Sequence, residues 1–221
     1  MTEFIILLSI VFLMIVSQAI ISFTYSRYSR EEASLPITGK ETVENMLNRN
    51  CITDVRLGYT TGTLNDHYNS NRKTINLSKS SCNTSTVAAI AVAAHETGHA
   101  IQDHTNYFML RIRKLLAPIT AFSSRFVWIA IFIGVIFQSF NLIVLGLALM
   151  GVTIIFQLVT LPVEFDASRR AVAYLSTVGY DAETMVGIKK MLKAAAFTYI
   201  ASTLAALLQM LRLVLAFTRN D

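Results

Sequence analysis

The sequence predicts a mostly α-helical membrane protein with about four transmembrane helices and a small α+β domain at the cytoplasmic membrane surface. Three observations lead to this fold class. The 221 residues are 53% hydrophobic and only 15% charged, whereas ordinary globular chains are about 25% charged. The hydrophobic residues form long uncharged runs, and most basic residues lie between those runs. A strand-like pattern and several short helical patterns occur in the charged segments, which indicates a small mixed domain there.

Residues 4–26 are predicted to form the first transmembrane helix. They carry no charge, and at 1.5 Å per residue they can cross a hydrocarbon core of about 30 Å. A cleaved signal peptide is the alternative interpretation. It is disfavoured because Glu3 stands where a basic n-region belongs.

Residues 116–163 are predicted to form a transmembrane hairpin, with spans at about 119–138 and 142–163. The uncharged run within it is too long for one bilayer crossing, and polar residues 138–141 favour a turn. Residues 194–218 are predicted to form a fourth transmembrane or membrane-buried helix.

The basic residues predict the topology. Sixteen of the nineteen lysines and arginines fall in residues 27–114 and 169–193, and segments rich in these residues stay in the cytoplasm. We therefore expect a multi-pass protein of the cell membrane, with both segments cytoplasmic and the N- and C-termini outside. The net charge of +5 then reflects topology, and no nucleic-acid partner is expected.

The segments outside the bilayer are residues 27–115 and 164–193. In the first of them we predict a surface helix, a half-buried strand and an alanine-rich helix, at 39–49, 73–78 and about 86–103. In the second we predict one helix that begins near Pro162 and an amphipathic helix at 181–193, because proline is favoured in the first turn of a helix.

The alanine-rich helix contains the motif His95-Glu96-x-x-His99. Residues four apart on a helix lie about 40° and ~6 Å from each other, so both imidazoles can bind one metal ion. Zinc in such a site lowers the pKa of its water toward ~7, and Glu96 is placed to take the proton as general base. The motif therefore predicts a catalytic zinc site.

The third ligand must come from elsewhere in the chain. His104 is directed away from the two motif histidines if the helix continues, and no histidine follows it. The next carboxylates are Glu164 and Asp166, which are about 200° apart on a helix, so only one of them can face the zinc. Asp181 and Glu183 are more remote candidates.

Three segments resemble the YugP-like family of bacterial membrane zinc metallopeptidases, and the resemblance extends over nearly the whole chain. These segments are Leu64–Tyr68, Ala88–Gln102 and Leu161–Arg170. The resemblance implies that His95, His99 and Glu164 bind Zn²⁺ and that Glu96 is the catalytic base. It also implies a zincin-like, gluzincin-type catalytic region within residues 27–115.

The family is in turn distantly similar to the HtpX-type and CAAX-prenyl membrane proteases. Those proteins carry Glu-Phe-x-x-Asp around the third ligand, whereas this chain has Ser168 in the aspartate position and Asp166 two residues after the glutamate. Such peptidases hold a substrate as an added strand at a sheet edge, and residues 73–78 are the expected edge. His67 either binds the tetrahedral intermediate or stabilises a turn, and the turn is the favoured reading.

The predicted function is that of a membrane-anchored zinc endopeptidase. Its substrate would be a peptide or protein, including loops of membrane proteins, and its environment the lipid bilayer. Two alternatives remain open. One is a zinc-binding membrane scaffold or adaptor without turnover, and the other is an intramembrane site-2-type protease.

Overall fold

The computed structural model describes residues 2–218, which form seven α-helices and three short β-strands. The helices are α1 (Thr2–Tyr28), α2 (Gly39–Arg49), α3 (Lys79–Asn83), α4 (Val87–His104), α5 (Phe108–Ile136), α6 (Phe140–Leu175) and α7 (Ala182–Thr218). The strands are β1 (Arg56–Thr60), β2 (His67–Asn69) and β3 (Thr74–Ser78). The prediction of a mostly helical chain with a small mixed α/β part is confirmed.

Four of these helices are long and apolar enough to cross a bilayer, namely α1, α5, α6 and α7. Their apolar windows have mean hydropathies between 1.9 and 2.8, and no more than 22% of any window is buried within the protein. Large side chains such as Phe12 and Phe132 are more than 60% exposed. A helix that is apolar on all sides needs lipid around it, so the chain is a membrane protein.

The predicted helix start at Pro162 is wrong. Pro162 lies inside α6, which runs without a break from the second hairpin span through Glu164 to Leu175. A proline lacks the backbone N–H, but membrane helices accommodate it because neighbouring groups satisfy the carbonyl that it leaves free. The third-ligand candidates Glu164 and Asp166 are therefore carried by the end of a long helix.

The predicted division between an amphipathic helix at 181–193 and a span at 194–218 is also absent. The two segments form the single helix α7. No glycine or proline lies between Ile188 and Thr218, and Ala194–Ala196 are strong helix formers, so nothing in the sequence interrupts the helix.

The chain divides into two compact units. The unit that contains the sheet, here called the sheet unit, consists of Ala19–Leu110 and Val163–Ala196. Its core includes Val43, Ile75, Ile90 and Ile188, none of which is exposed to solvent. The other unit consists of helical segments that include Arg111–Pro162.

The sheet has the strand order β1-β3-β2, with β1 parallel and β2 antiparallel to β3. The strand predicted at residues 73–78 exists as β3, but it lies in the centre of the sheet. Its expected role as an edge is therefore wrong, because both of its sides are paired. The free edges belong to β1 and β2, and α3 follows β3 directly.

Candidate metal centre

Helix α4 positions both motif histidines within the sheet unit. Thr86 caps its N-terminus by accepting a hydrogen bond from the Ala89 backbone, as capping hydroxyls commonly do. The first two turns of the helix carry mostly alanines and are almost fully buried in the core. The imidazole centroids of His95 and His99 are 4.8 Å apart, with the rings nearly perpendicular.

Gly98 allows α6 to approach the motif closely. A Cβ atom at this position would lie 2.6 Å from the backbone oxygen of Ala167, a separation that real Cβ atoms do not reach. Only glycine therefore permits this crossing of α4 and α6. The approach brings Glu164, whose side chain is 2% exposed, to the two histidines.

The geometry joins His95, His99 and Glu164 in one group. Glu164 Oε2 lies 3.2 Å from His95 Nε2 and 3.5 Å from His99 Nε2. One potential ligand atom from each residue falls within 4.8 Å of the others. Two imidazole nitrogens and one carboxylate oxygen are a donor set that suits zinc, and three protein ligands leave a fourth position for reactants. The residues present therefore fit the metal that the motif predicts.

The Nδ1 atom of each imidazole, which faces away from Glu164, is within hydrogen-bond distance of another side chain. Ser168 Oγ is 3.1 Å from His95 Nδ1, and Gln102 Oε1 is 3.0 Å from His99 Nδ1. Partners of this kind fix the ring orientation and the tautomer of a metal ligand. The Ser168 hydroxyl thus orients one motif histidine and the Gln102 amide orients the other.

The other contacts of Gln102 determine which way its amide points. Its Nε2 donates to Val163 O at 2.7 Å and to Asp166 Oδ2 at 3.0 Å. Both partners are acceptors, so Oε1 must be the atom that faces His99. An amide oxygen can only accept, so His99 carries a hydrogen on Nδ1 and directs Nε2 towards Glu164.

Asp166 is therefore not a ligand in this arrangement. It is buried and accepts hydrogen bonds from Gln102, Arg169 and Arg170. Its charge orients the Gln102 amide, and that amide in turn orients His99. Asp166 is thus a positioning residue that is linked to the metal group through two successive hydrogen bonds.

Glu96 lies beside the group on the same helix and is 8% exposed. The backbone N–H of Tyr68 donates to its Oε2 at 2.8 Å. Burial raises the pKa of Glu96 to about 7, with the nearby Glu164 adding to the effect and His95 opposing it. A carboxylate with a pKa near neutrality can both accept and release a proton at working pH.

Strand β2 and the turn between β2 and β3 are attached to α4 by a second set of contacts. Tyr68 donates from its hydroxyl to Asp103 Oδ2 at 2.8 Å, and Lys73 Nζ lies 2.9 Å from the same oxygen. Burial and the Asp103 carboxylate raise the pKa of Tyr68, so it stays a neutral donor. These bonds fix the edge of the sheet next to Glu96.

His67 lies outside the metal group and is exposed. Its Nδ1 is 2.8 Å from Asn65 O and its Nε2 is 3.1 Å from Asn76 Nδ2. Both ring nitrogens are thus engaged within the β2 region, which favours the turn-stabilising role over a catalytic one.

The other candidates also lie elsewhere. His104 is exposed at the end of α4. Asp181 accepts a hydrogen bond from Thr184 N at the start of α7, and Glu183 is exposed.

Gln102 is the residue that the sequence prediction missed. Its position three residues after His99, on the same helix face, is the signal that could have identified it.

Comparisons with known proteins identify the family and name its metal. A family model described as "Putative neutral zinc metallopeptidase" matches residues 3–218. The chain is 39% identical over 194 residues to a protein of Bacillus subtilis (strain 168) described as "Putative membrane protease YugP", an alignment that covers 87% of this chain and 86% of the relative. No solved structure matches the chain. Zinc, which the donor set predicts, is also the metal that the family description names.

Proposed function

The chain belongs to the YugP-like family of zinc metallopeptidases, and from this premise we propose that it is a membrane-anchored zinc endopeptidase with Glu96 as its general base. The observation that carries the proposal is the placement of a carboxylate, buried to 8% exposure, beside a His95, His99 and Glu164 group. A purely structural zinc site has four protein ligands and needs no such carboxylate.

The three ligands would hold zinc through two nitrogens and one oxygen. Bound zinc supplies Lewis acidity, which polarises a peptide carbonyl and makes water acidic enough to lose a proton near neutral pH. Ser168 and Gln102 keep the two imidazoles in the orientation that this binding requires.

Glu96 moves the proton. The Tyr68 amide occupies its Oε2, so Oε1 is the oxygen that accepts a proton from the attacking water. The same oxygen then gives the proton to the nitrogen of the leaving amine. The placement of this carboxylate on α4, one residue after the first ligand, keeps it within reach of both groups.

We further propose that a peptide substrate binds along the free edge of β2. In the antiparallel pair, Tyr68 stands opposite Ile75, but its N–H is directed away from β3 and towards Glu96. In an extended strand the N–H and C=O of one residue point to the same side, so the Tyr68 carbonyl is available to a substrate amide. Strand addition at this edge would place the peptide backbone next to the general base.

The proposed setting is the cell membrane, with residues 27–115 and 164–193 in the cytoplasm and both termini outside. The distribution of lysine and arginine supports this topology. A substrate would then be a cytoplasmic peptide, an unfolded protein or a loop of a membrane protein. The site-2-type alternative is disfavoured because the motif helix α4 is not among the four candidate spans in residues 2–218.

The test is cleavage of an unfolded model protein by the full chain, purified in detergent and loaded with zinc, with fragments identified by mass spectrometry. Glu96→Gln removes the base and leaves the three ligands, so fragments should disappear. Glu183→Gln, at an exposed carboxylate, serves as the matched control and should cleave like the unmodified chain. If Glu96→Gln, with zinc bound, cleaves at an unchanged rate, the proposed base is wrong.

The scaffold alternative predicts a different result. It expects zinc to be bound in every variant and no fragments from any of them, and a series of unfolded proteins and membrane-protein loops should be tried before that outcome is accepted.

A further inference from the structure

The sheet unit contains an open cavity whose lining includes none of the three residues of the metal group. It has a volume of about 330 Å³ and lies between the ends of α2, α4 and α6. Met46 and Ile101 provide apolar parts of its lining. Its polar lining consists of Arg49, Asn50, Arg170, Tyr174 and Thr177. The lining contains two arginines and no carboxylate.

Arg49 is held in position without an opposite charge. Its Nη1 donates to Thr177 Oγ1 at 2.5 Å, and its guanidinium lies over the Tyr174 ring, 5.8 Å from the centroid. Within residues 2–218 it has no ion pair, and the rest of its guanidinium has no hydrogen-bond partner. A guanidinium that is fixed by a hydroxyl and a ring loses little conformational freedom on binding an anion.

Arg170 presents further donors to the same cavity. Its Nε donates to Asp166 Oδ2 at 2.6 Å, and its side chain is 26% exposed. In the described part of the chain its two terminal nitrogens have no hydrogen-bond partner. Asp166 is also shared with Arg169 and Gln102, so one carboxylate serves two arginines and the cavity keeps an excess of positive charge.

These features point to a compact oxyanion. Two guanidinium groups with unused N–H donors match a phosphate, which accepts several charge-assisted hydrogen bonds at once. The cavity is roughly ten times the ~30 Å³ that one water occupies in the liquid, so it has space for a phosphate and the small group esterified to it. The hydroxyl of Tyr174 and the amide of Asn50 offer further contacts to such a group.

We propose that this cavity, between Arg49 and Arg170, is a binding site for a phosphate monoester, supplied either by a soluble metabolite or by a lipid headgroup. The proposal does not depend on peptidase activity, because the site and the metal group have separate ligands. Arg170 connects the two through Asp166, so Arg49 is the better position for a test.

The experiment is isothermal titration of the zinc-loaded full chain in detergent with glycerol 3-phosphate. We expect saturable binding of one molecule per chain, weakened at least tenfold by Arg49→Gln. Arg56→Gln, which removes the same charge from an exposed position on β1, is the matched control and should leave the affinity unchanged. Melting temperature and zinc content, measured for each variant, show that the fold is retained.

Two further arms separate the sources of the ligand. A short-chain phosphatidic acid carries the same phosphate on a lipid, so tighter binding than that of glycerol 3-phosphate assigns the site to lipid, and equal binding assigns it to soluble esters. Acetate should bind far more weakly than either. Absence of saturable binding, or equal affinity in Arg49→Gln, overturns the proposal, since the latter would place the phosphate at the metal centre instead.

Discussion

Gln102 Oε1 lies 3.0 Å from His99 Nδ1, and the Gln102 amide is itself fixed by Val163 and Asp166. The amide can therefore only accept a hydrogen bond from the imidazole and cannot donate one to it. Through this contact a residue that never touches the metal controls which nitrogen of His99 is available to it.

Gln102→Leu should weaken zinc binding by about 10–100-fold, the range typical for loss of a partner behind a metal ligand. Leucine has a similar size but offers no acceptor, so the His99 ring loses its orientation. Zinc dissociation constants from competition with a chelator give the measurement, and the melting temperature reports the fold. Unchanged zinc affinity in a folded variant would show that α4 alone orients the ring.

Ser168→Ala should weaken zinc binding less strongly, by roughly tenfold. The change removes the hydroxyl 3.1 Å from His95 Nδ1, but α4 still holds the imidazole next to Glu164. Ser176→Ala provides the control, because the Ser176 hydroxyl donates only to the Val172 carbonyl and is exposed. Equal zinc affinities of the two alanine variants would contradict the role assigned to position 168.

Gly98→Ala should both destabilise the protein and reduce its zinc content. The added methyl group would lie 2.6 Å from Ala167 O, so α4 and α6 must separate, and overpacking of this kind costs roughly 1–3 kcal/mol. The separation withdraws Glu164 from the two histidines. Thermal unfolding and elemental analysis measure the two effects.

Gly151→Ala is the matched control for that substitution. No atom lies within 4 Å of a Cβ at position 151, and alanine is favoured over glycine in a helix by up to about 1 kcal/mol. This variant should therefore be as stable as the unmodified chain or slightly more so. If both glycine variants behave alike, the close crossing at position 98 is not what brings the ligand in.

Glu96→Gln should stabilise the zinc-free protein at high pH and not at low pH. The folded pKa of Glu96, about 7, lies above the ordinary value of 4.5, so the unfolded chain ionises first as the pH rises. Above pH 4.5 this ionisation lowers the free energy of unfolding, and the loss is complete once the pH has passed 7.

At pH 8 the difference between the glutamine and glutamate proteins should reach about 3 kcal/mol, and near pH 4 it should vanish. Denaturant titrations at several pH values, with a chelator present, measure it. A pH-independent difference would mean that burial does not shift this carboxyl.

The motif could be predicted in full because it lies on one helix. His95, Glu96 and His99 keep their relative positions wherever α4 is placed, since helical geometry alone determines them. The third ligand is a different case. Glu164 and Asp166 are equivalent by spacing, and the choice between them is made by the crossing at Gly98, which brings together residues about 70 positions apart in the chain.

The position of a strand within the sheet could not be predicted from the sequence either. The alternation in residues 73–78 identifies a strand, but alternation states only which side chains are buried and says nothing about the neighbouring strands. β3 is central because both β1 and β2 pair with it. The prediction that a helix begins at Pro162 was wrong for a similar reason. A proline is a local signal, and α6 continues through it because the surroundings of the helix compensate for the missing N–H.

The division of the ligands between two helices links metal binding to folding. His95 and His99 lie on α4, whereas Glu164 lies on α6. The set is therefore complete only after the two helices have crossed at Gly98. A ligand that binds the folded chain and not the unfolded one raises the free energy of unfolding. Zinc supply should therefore affect how long the protein survives in the cell as well as how fast it works.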